Sequence, residues 1–469
     1  MTVIPFGELR QDVSDFRGTH TQTALNVVPH GDGYAPIGKH TLSYSALASA
    51  CRGFFTAYKA DGTKIMFAGT ATKLYSATSS SWTDRSKGAG SYTTLNSGEN
   101  WQFAQFNNFV FAVQANTTPQ VYDLTSSSAF ADLGGSPPNA KYITIVDRFV
   151  VLGGLASPNG NRIQWSGLNA TTTWTSGVTL SDFQDLPDGG LVRGLSGGAT
   201  TGYIFSDRAI RRMTFAPGSP FVFGIDVIAR DEGLIAPYSL CQAGDKIFYY
   251  SQQGFKMLQP GQSSKPIGKE KVDRTVGSNI TTTLINQMVG SPDPANTRVV
   301  FGLNFNSVGG IPIDTFYFYD WALDRWTTAS VSAQWLHNGV HAGAVNSTGP
   351  AETFLVCNNS NIIGTMTGTF LEATVATAEL EDDTRRMFAK GFRPLTDATS
   401  LFGKLQFRNY LSDTTASTTE TSVNSIGEIE QRKAARLIRA ICRIPASTSW
   451  TFISGVEVMP EEAAKEGKR

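Results

Sequence analysis

Five histidines, His20, His30, His40, His337 and His341, are the first candidates for metal or acid–base chemistry in this 469-residue chain. The stretch "HNGVH" sets His337 and His341 four apart, a spacing that on a helix turns both imidazoles toward one metal ion. Gly339 lies between them in a turn-prone stretch, and no glutamate follows His337, so the pair reads as ordinary loop histidines. "GQSSKPIGKEK" (261–271) resembles a phosphate loop only in composition. Its spacing is wrong, and Glu270 stands where a magnesium-binding hydroxyl belongs. Lys265, Lys269 and Lys271 therefore read as a solvated loop. Cys51, Cys241, Cys357 and Cys442 form no C-x-x-C pair, which makes them small buried thiols rather than zinc ligands or a disulfide framework. No carboxylate pair, nucleophile elbow or triad order can be argued from spacing. The expectation is a protein that is not an enzyme, with no catalytic, cofactor-binding or metal residues, and with partner-binding residues unknown.

Function must then reside in surfaces, and the aromatic residues show how those surfaces are built. "FYFYDWALDRWTT" (316–328) places an aromatic strand, a polar turn and a tryptophan that opens a second strand. The outline recurs in "KLYSATSSSWTD" (73–84), "QVYDLTSSSAFADL" (120–133) and "RIQWSGLNATTTWTS" (162–176). The leading aromatics Tyr75, Tyr122 and Trp165 are 47 and 43 residues apart; the second aromatics Trp82, Phe130 and Trp174 are 48 and 44 apart. A fourth copy lies at 210–224 and a degenerate fifth at 254–268. Upstream of each copy sits a further hairpin, the first turning at Asp61-Gly62, a pair suited to positive φ. Four strands and their turns need about 40–50 residues, the period of a propeller blade. Trp82, Trp174 and Trp326 are expected to be equivalent residues packed between blades.

The class is therefore all-β, a β-propeller of six or seven blades with an N-terminal arm and a C-terminal β-domain. Residues 1–45 read as an extended arm and 46–375 as the propeller. An insertion at about 269–296 offers a short helix in "TTTLINQMVGSPDPAN". Residues 376–460 form the C-terminal β-domain, in which the ambiguous "AARLIRAICRI" is read as strand, and 461–469 a flexible tail. The arm and the C-terminal domain, rather than the blades, are expected to contact other subunits. Lysine plus arginine and aspartate plus glutamate both number 39, so the formal charge is zero. That balance excludes a surface built throughout to grip phosphate. The largest basic concentration is Arg432, Lys433, Arg436, Arg439 and Arg443. No apolar run is long enough for a signal peptide or a membrane span.

With these elements in place, four stretches carry a resemblance to the tail hub, or nozzle, proteins of short-tailed bacteriophages, also called packaged-DNA stabilisation proteins. They are "NVVPHGDGYAPIGKH", "RDEGLIAPYSLCQAGDKIFYYSQQGFKML", "FYFYDWALDRWTT" and "RLIRAICRIPASTSWTFISGVEVMP". The resemblance implies a structural virion protein, made in the host cytoplasm and residing in the phage tail. It would form a homohexameric ring on the portal-attached adaptor ring, close the tail channel and retain packaged DNA. It would also dock tail fibres or tailspikes, meet a tail needle or plug, and form the ejection conduit. No cofactor, no membrane insertion and no family active site are implied. Viral DNA would pass the lumen without specific binding, so duplex binding by the isolated chain is expected to be weak. The rival readings are a cytoplasmic interaction scaffold and a glycan-binding or sialidase-like propeller. For the latter, "NSGENW" (96–101) is the nearest approach to an S-x-D-x-G-x-T-W turn.

Overall fold

The computed structural model describes residues 2–15, 18–306, 312–340, 354–381 and 386–460. The chain is all-β. Five consecutive four-stranded antiparallel sheets span 54–84, 102–132, 140–185, 192–230 and 241–266, each wound strand next to strand in chain order. In the first, the hairpin between Phe54–Tyr58 and Lys64–Gly69 turns at Asp61-Gly62. There Gly62 takes φ +82° and the Asp61 carboxylate accepts the Thr63 N–H at 2.8 Å. The second strands are buried on both faces, Phe149–Leu155 along its whole length, and read as unbroken apolar runs. Alternate residues of one strand feed two different cores: Val150 and Leu152 join those of the second sheet, Phe149 and Val151 those of the fourth. Successive sheets thus stack face to face, an arrangement consistent with a β-propeller.

A sixth sheet begins with Val289–Asp293, Arg298–Leu303, Ile313–Asp320 and the first part of the 14-residue strand Arg325–Asn338. The second part of that strand pairs with Phe354–Asn358, which pairs with Ile363–Thr365, which pairs with Thr41–Leu42 from the start of the chain. One apolar cluster joins Val300 and Phe318 of the sixth sheet, Leu336 and Val356 beyond it, and Phe54 and Met66 of the first sheet. The stack therefore returns to its beginning.

The remaining strands form a two-layer sandwich. One layer contains Met387–Thr396 between Ile429–Ala435 and Ile453–Pro460, with Thr2–Pro5 on the outer edge of Ile453–Pro460. The other contains Phe402–Arg408, Leu437–Ile444 and Ala373–Thr377, and Thr21–Leu25 links it to Arg325–Asn338 through a parallel pairing of Leu25 with Thr328. "AARLIRAICRI" is strand, broken at Arg436, where the chain passes from one layer to the other.

The strands of 2–45, read as an extended arm, pair with 453–460, 373–377, 328 and 364–365 of the same chain. "TTTLINQMVGSPDPAN" holds short 3-10 helices at Ile285–Gln287 and Pro294–Asn296, the α-helix Asp273–Asn279 lies upstream of it, and Val289–Asp293 is the first strand of the sixth sheet. Asp12 caps the α-helix, accepting the Arg274 and Thr275 N–H groups at 2.7 and 2.8 Å. Tail residues 461–469 lie outside the described set. Among the described residues, no helix is long and apolar enough to cross a membrane.

Candidate functional site

The first strands of the first, second, fifth and sixth sheets meet at a cavity of about 290 Å³ lined by Phe54, Phe55, Gln102, Phe103, Gln242 and His337, among others. Phe55 and Phe103, in neighbouring sheets, are stacked at 6.1 Å, and Phe55 lies 5.6 Å from the His337 ring. His337 stands in a strand, not a loop, and accepts the Thr56 N–H on Nε2 at 3.4 Å. Burial pushes its pKa down to about 4, so the imidazole is neutral at physiological pH. His341 lies outside the described residues, and no group of three metal-ligating side chains occurs among the described ones. The wall offers aromatic faces and neutral amides, suited to a small uncharged group rather than to phosphate.

A second cavity of about 460 Å³ opens where the first strands of the second, third and fourth sheets begin. Charges on this face come in pairs. Lys141 meets Glu99 at 2.6 Å, which places the "NSGENW" glutamate in an ion pair. Arg193 pairs with Asp207, whose carboxylate also accepts the Leu191 N–H at 2.7 Å. Buried Arg211 donates to Asp188 and, with Arg230 at 3.3 Å, holds that carboxyl below the ordinary range. Such a face can hold a polar ligand and, with Arg211 and Arg230 sharing Asp188, carries one cation more than its three carboxylates among these residues.

Three of the five residues in the basic concentration near the C-terminus are paired with carboxylates. Arg443 binds Glu420 at 2.6 Å and Glu372 at 2.9 Å; Arg436 binds Glu381 at 2.8 Å; Arg439 binds Asp15. Lys433 lies 3.9 Å over the Phe407 ring. Lys271 is not a solvated side chain. It is half-buried between Glu8 and Asp324, 3.1 Å from the latter, and ties the N-terminal segment to the sixth sheet. Of the cysteines, Cys51, Cys357 and Cys442 are buried and Cys241 is partly so; all are free.

The three tryptophans are not alike. Trp326 is fully buried in a fourth strand, its Nε1 donating to Ile267 O at 2.8 Å. Trp174 is buried in a loop ahead of the strand Asp182–Asp185. Trp82 is only half-buried, on Tyr44 at 5.2 Å. The sequence pattern missed a more regular set: Phe67, Phe111, Phe149, Phe205 and Phe248, one in each of five second strands, all fully buried. The signal was present as an aromatic within each apolar run.

No family model and no curated protein matches the chain. Similar solved structures include the computationally designed Ika8 protein, at 11% identity and TM-score 0.39, covering 70% of this chain and 99% of that one. The N-terminal domain of Nup159 has 9% identity and TM-score 0.39 over 73% of this chain and 98% of its own. The extracellular domain of a hybrid two-component system of B. thetaiotaomicron, BT4673, has 12% identity and TM-score 0.41, with 76% of this chain and 43% of that one covered. At these scores the likenesses carry no functional argument, and the fold rests on the chain's own strand pairing.

Proposed function

We propose that this chain is a structural subunit of a virus particle, the hub or nozzle ring at the tail of a short-tailed bacteriophage. In this reading the propeller has seven blades. The seventh is made of the second part of Arg325–Asn338, then Phe354–Asn358, Ile363–Thr365 and, from the N-terminal segment, Thr41–Leu42. The observation that supports the reading best is a sandwich in which Thr2–Pro5 and Thr21–Leu25 pair with Ile453–Pro460 and Ala373–Thr377. Its core, through Phe392, Ile438 and Val456, is continuous with that of the fifth and sixth sheets. A propeller braced in this way suits a subunit that keeps its shape under load. The paired charges also suit a conduit that must let DNA pass, since each unpaired cation on phosphate adds a counterion-release term that slows departure.

Light scattering on the purified chain, alone and with the adaptor ring of the same particle, tests this. The expected species is a ring of about 300 kDa, six copies of a 50.6 kDa chain. A chain that stays monomeric with the adaptor, and that binds or cleaves a glycan, would make the glycan reading the better one.

A further inference from the structure

Residues 41–51 form a strap that crosses the sheet it completes. Thr41 and Leu42 pair with Thr365 and Gly364, the Leu47 N–H donates to Asn361 O at 2.9 Å, and Asn361 Nδ2 returns a bond to Leu47 O. The strap ends on a pair of thiols. Cys51 is 2% exposed, and Cys357, in the strand Phe354–Asn358, is fully buried. Both residues use one side-chain oxygen: Gln334 Oε1 accepts the Cys51 backbone N–H at 2.7 Å and the Cys357 thiol at 3.6 Å. Burial, and then the neighbouring Cys51 thiol, push the Cys357 thiol well above its ordinary range. Residues 306 positions apart in sequence thus meet at the inner end of the strap, where the last sheet of the stack faces the first. Cys241 and Cys442 pack in a different apolar cluster from Cys51 and Cys357.

We infer that Cys51 and Cys357 are a disulfide site, bridged when the chain meets oxidising surroundings, and that the bridge clamps the strap onto the sheet it completes. The two thiols lose two protons and two electrons to a disulfide oxidant such as oxidised glutathione. One S–S bond forms, and the oxidant leaves as two thiols. A thiolate must make the attack, so the bridge forms slowly while the strap is seated and faster when it lifts. In reducing surroundings the pair stays as two thiols, the state in which the structure holds it. The loop closed by the bridge contains every sheet of the stack, the situation in which a cross-link restricts the unfolded chain most.

The full chain is incubated with oxidised glutathione, and a second sample is refolded from urea in a glutathione redox buffer. Both are alkylated, digested without reduction and mapped by mass spectrometry. The expected product is about 2 Da lighter, carries one peptide joining Cys51 to Cys357, and unfolds about 4 °C higher than the reduced form, reversibly with dithiothreitol. A Cys51→Ala/Cys357→Ala variant is expected to show no thermal shift on oxidation; if it fails to fold, the map and midpoint of the unaltered chain still decide. Four alkylated cysteines after both treatments, glutathione adducts alone, or a bridge to Cys241 or Cys442 would overturn the site. A Cys51–Cys357 bond that leaves the midpoint unmoved or lowers it would overturn the clamp.

Discussion

The ring of Phe67 meets that of Tyr122 edge-on at 5.2 Å, across the boundary between the first and second sheets. Phe130 closes on the same ring at 5.5 Å. The relationship repeats around the stack. Phe149 of the third sheet lies 5.2 and 5.0 Å from Phe215 and Phe223 of the fourth. Phe205 lies 5.1 Å from Tyr249, and Phe248 lies 5.4 Å from Trp321 and 6.4 Å from Tyr319. In each case a second-strand phenylalanine is held by aromatics of the following sheet, on its third strand, its fourth strand or the turn between them, except that Tyr249, the partner of Phe205, lies on a second strand. Backbone hydrogen bonds also cross between neighbouring sheets, as from the Phe130 N–H to Arg85 O at 2.8 Å and from the Gly198 N–H to Ile145 O at 3.2 Å, and these side chains add to them.

Phe67→Ala and Phe149→Ala are each expected to cost about 3–5 kcal/mol, because the cavity opens between two sheets and neither can close it alone. Phe221, 72% exposed on a hairpin turn, is the control, and its replacement by Ala should stay within about 0.5 kcal/mol of the parent. Urea unfolding monitored by circular dichroism gives all three values. Equal effects at Phe67 and Phe221 would remove the interlock from the account of stability.

Much of this was legible in sequence because it is local. Tyr75, Tyr122 and Trp165 lie in third strands, as the spacing requires. The second aromatic of the pattern was less reliable. In the third sheet a long loop separates Trp165 from the fourth strand, so Trp174 turns back to donate to Thr171 O instead of opening that strand. Trp82 donates to Ser45 O, an acceptor supplied by the strap. The strap itself was not legible. "HTLSYSALASAC" carries no local sign that it will lie on residues 361–365, because its partner is set by closure of the whole stack. The cavity beside His337 was hidden for a related reason: its lining comes two to four residues at a time from segments far apart in the chain.

Removal of residues 2–45 is expected to leave no stable protein. The deletion strips Thr41–Leu42 from Ile363–Thr365, Thr2–Pro5 from Ile453–Pro460 and Thr21–Leu25 from Ala373–Thr377, and exposes three strand edges. Limited proteolysis of the truncated chain should show rapid loss of the bands that persist in the parent. A resistant, monomeric core after deletion would mean that the segment is an accessory arm after all.

Asp273 gives a pH dependence with a definite sign. Burial raises its carboxyl to about 6, and the nearby charge of Asp12 adds to this against the Phe255 N–H, which donates at 2.9 Å. The folded pKa is higher than the ordinary 3.8, so the contribution of this group is fully present below about pH 4 and is lost as pH rises through about 6. Asp273→Asn keeps an acceptor for Phe255 and removes the buried charge. It should be more stable than the parent at pH 7.5 by about 1–2 kcal/mol, allowing for partial exposure, with the difference shrinking toward pH 4. A variant less stable at pH 7.5, or a gap that does not change with pH, would show that the carboxylate is held by something stronger than the Phe255 amide.

Glu232 and Lys256 test the connection between the fourth and fifth sheets. Lys256 Nζ lies 2.8 Å from Glu232 Oε2 and donates to Gln253 Oε1 at 2.8 Å, while Glu232 also accepts the Tyr249 and Ser264 hydroxyls. Burial alone would raise the Glu232 carboxyl; the donors from Lys256, Tyr249 and Ser264 outweigh it and bring the pKa below the ordinary value. The carboxylate therefore stays charged inside the protein and depends on its partners. Lys256→Met removes the balancing cation and should cost about 3–5 kcal/mol, because an unpaired buried charge is left behind. Glu232→Gln in the same chain removes that charge, so the double variant should recover more than half of the loss. The double-mutant cycle built from urea midpoints reads the coupling directly. If Lys256→Met alone stays within about 1 kcal/mol of the parent, water reaches the pair and the connector is not held by it.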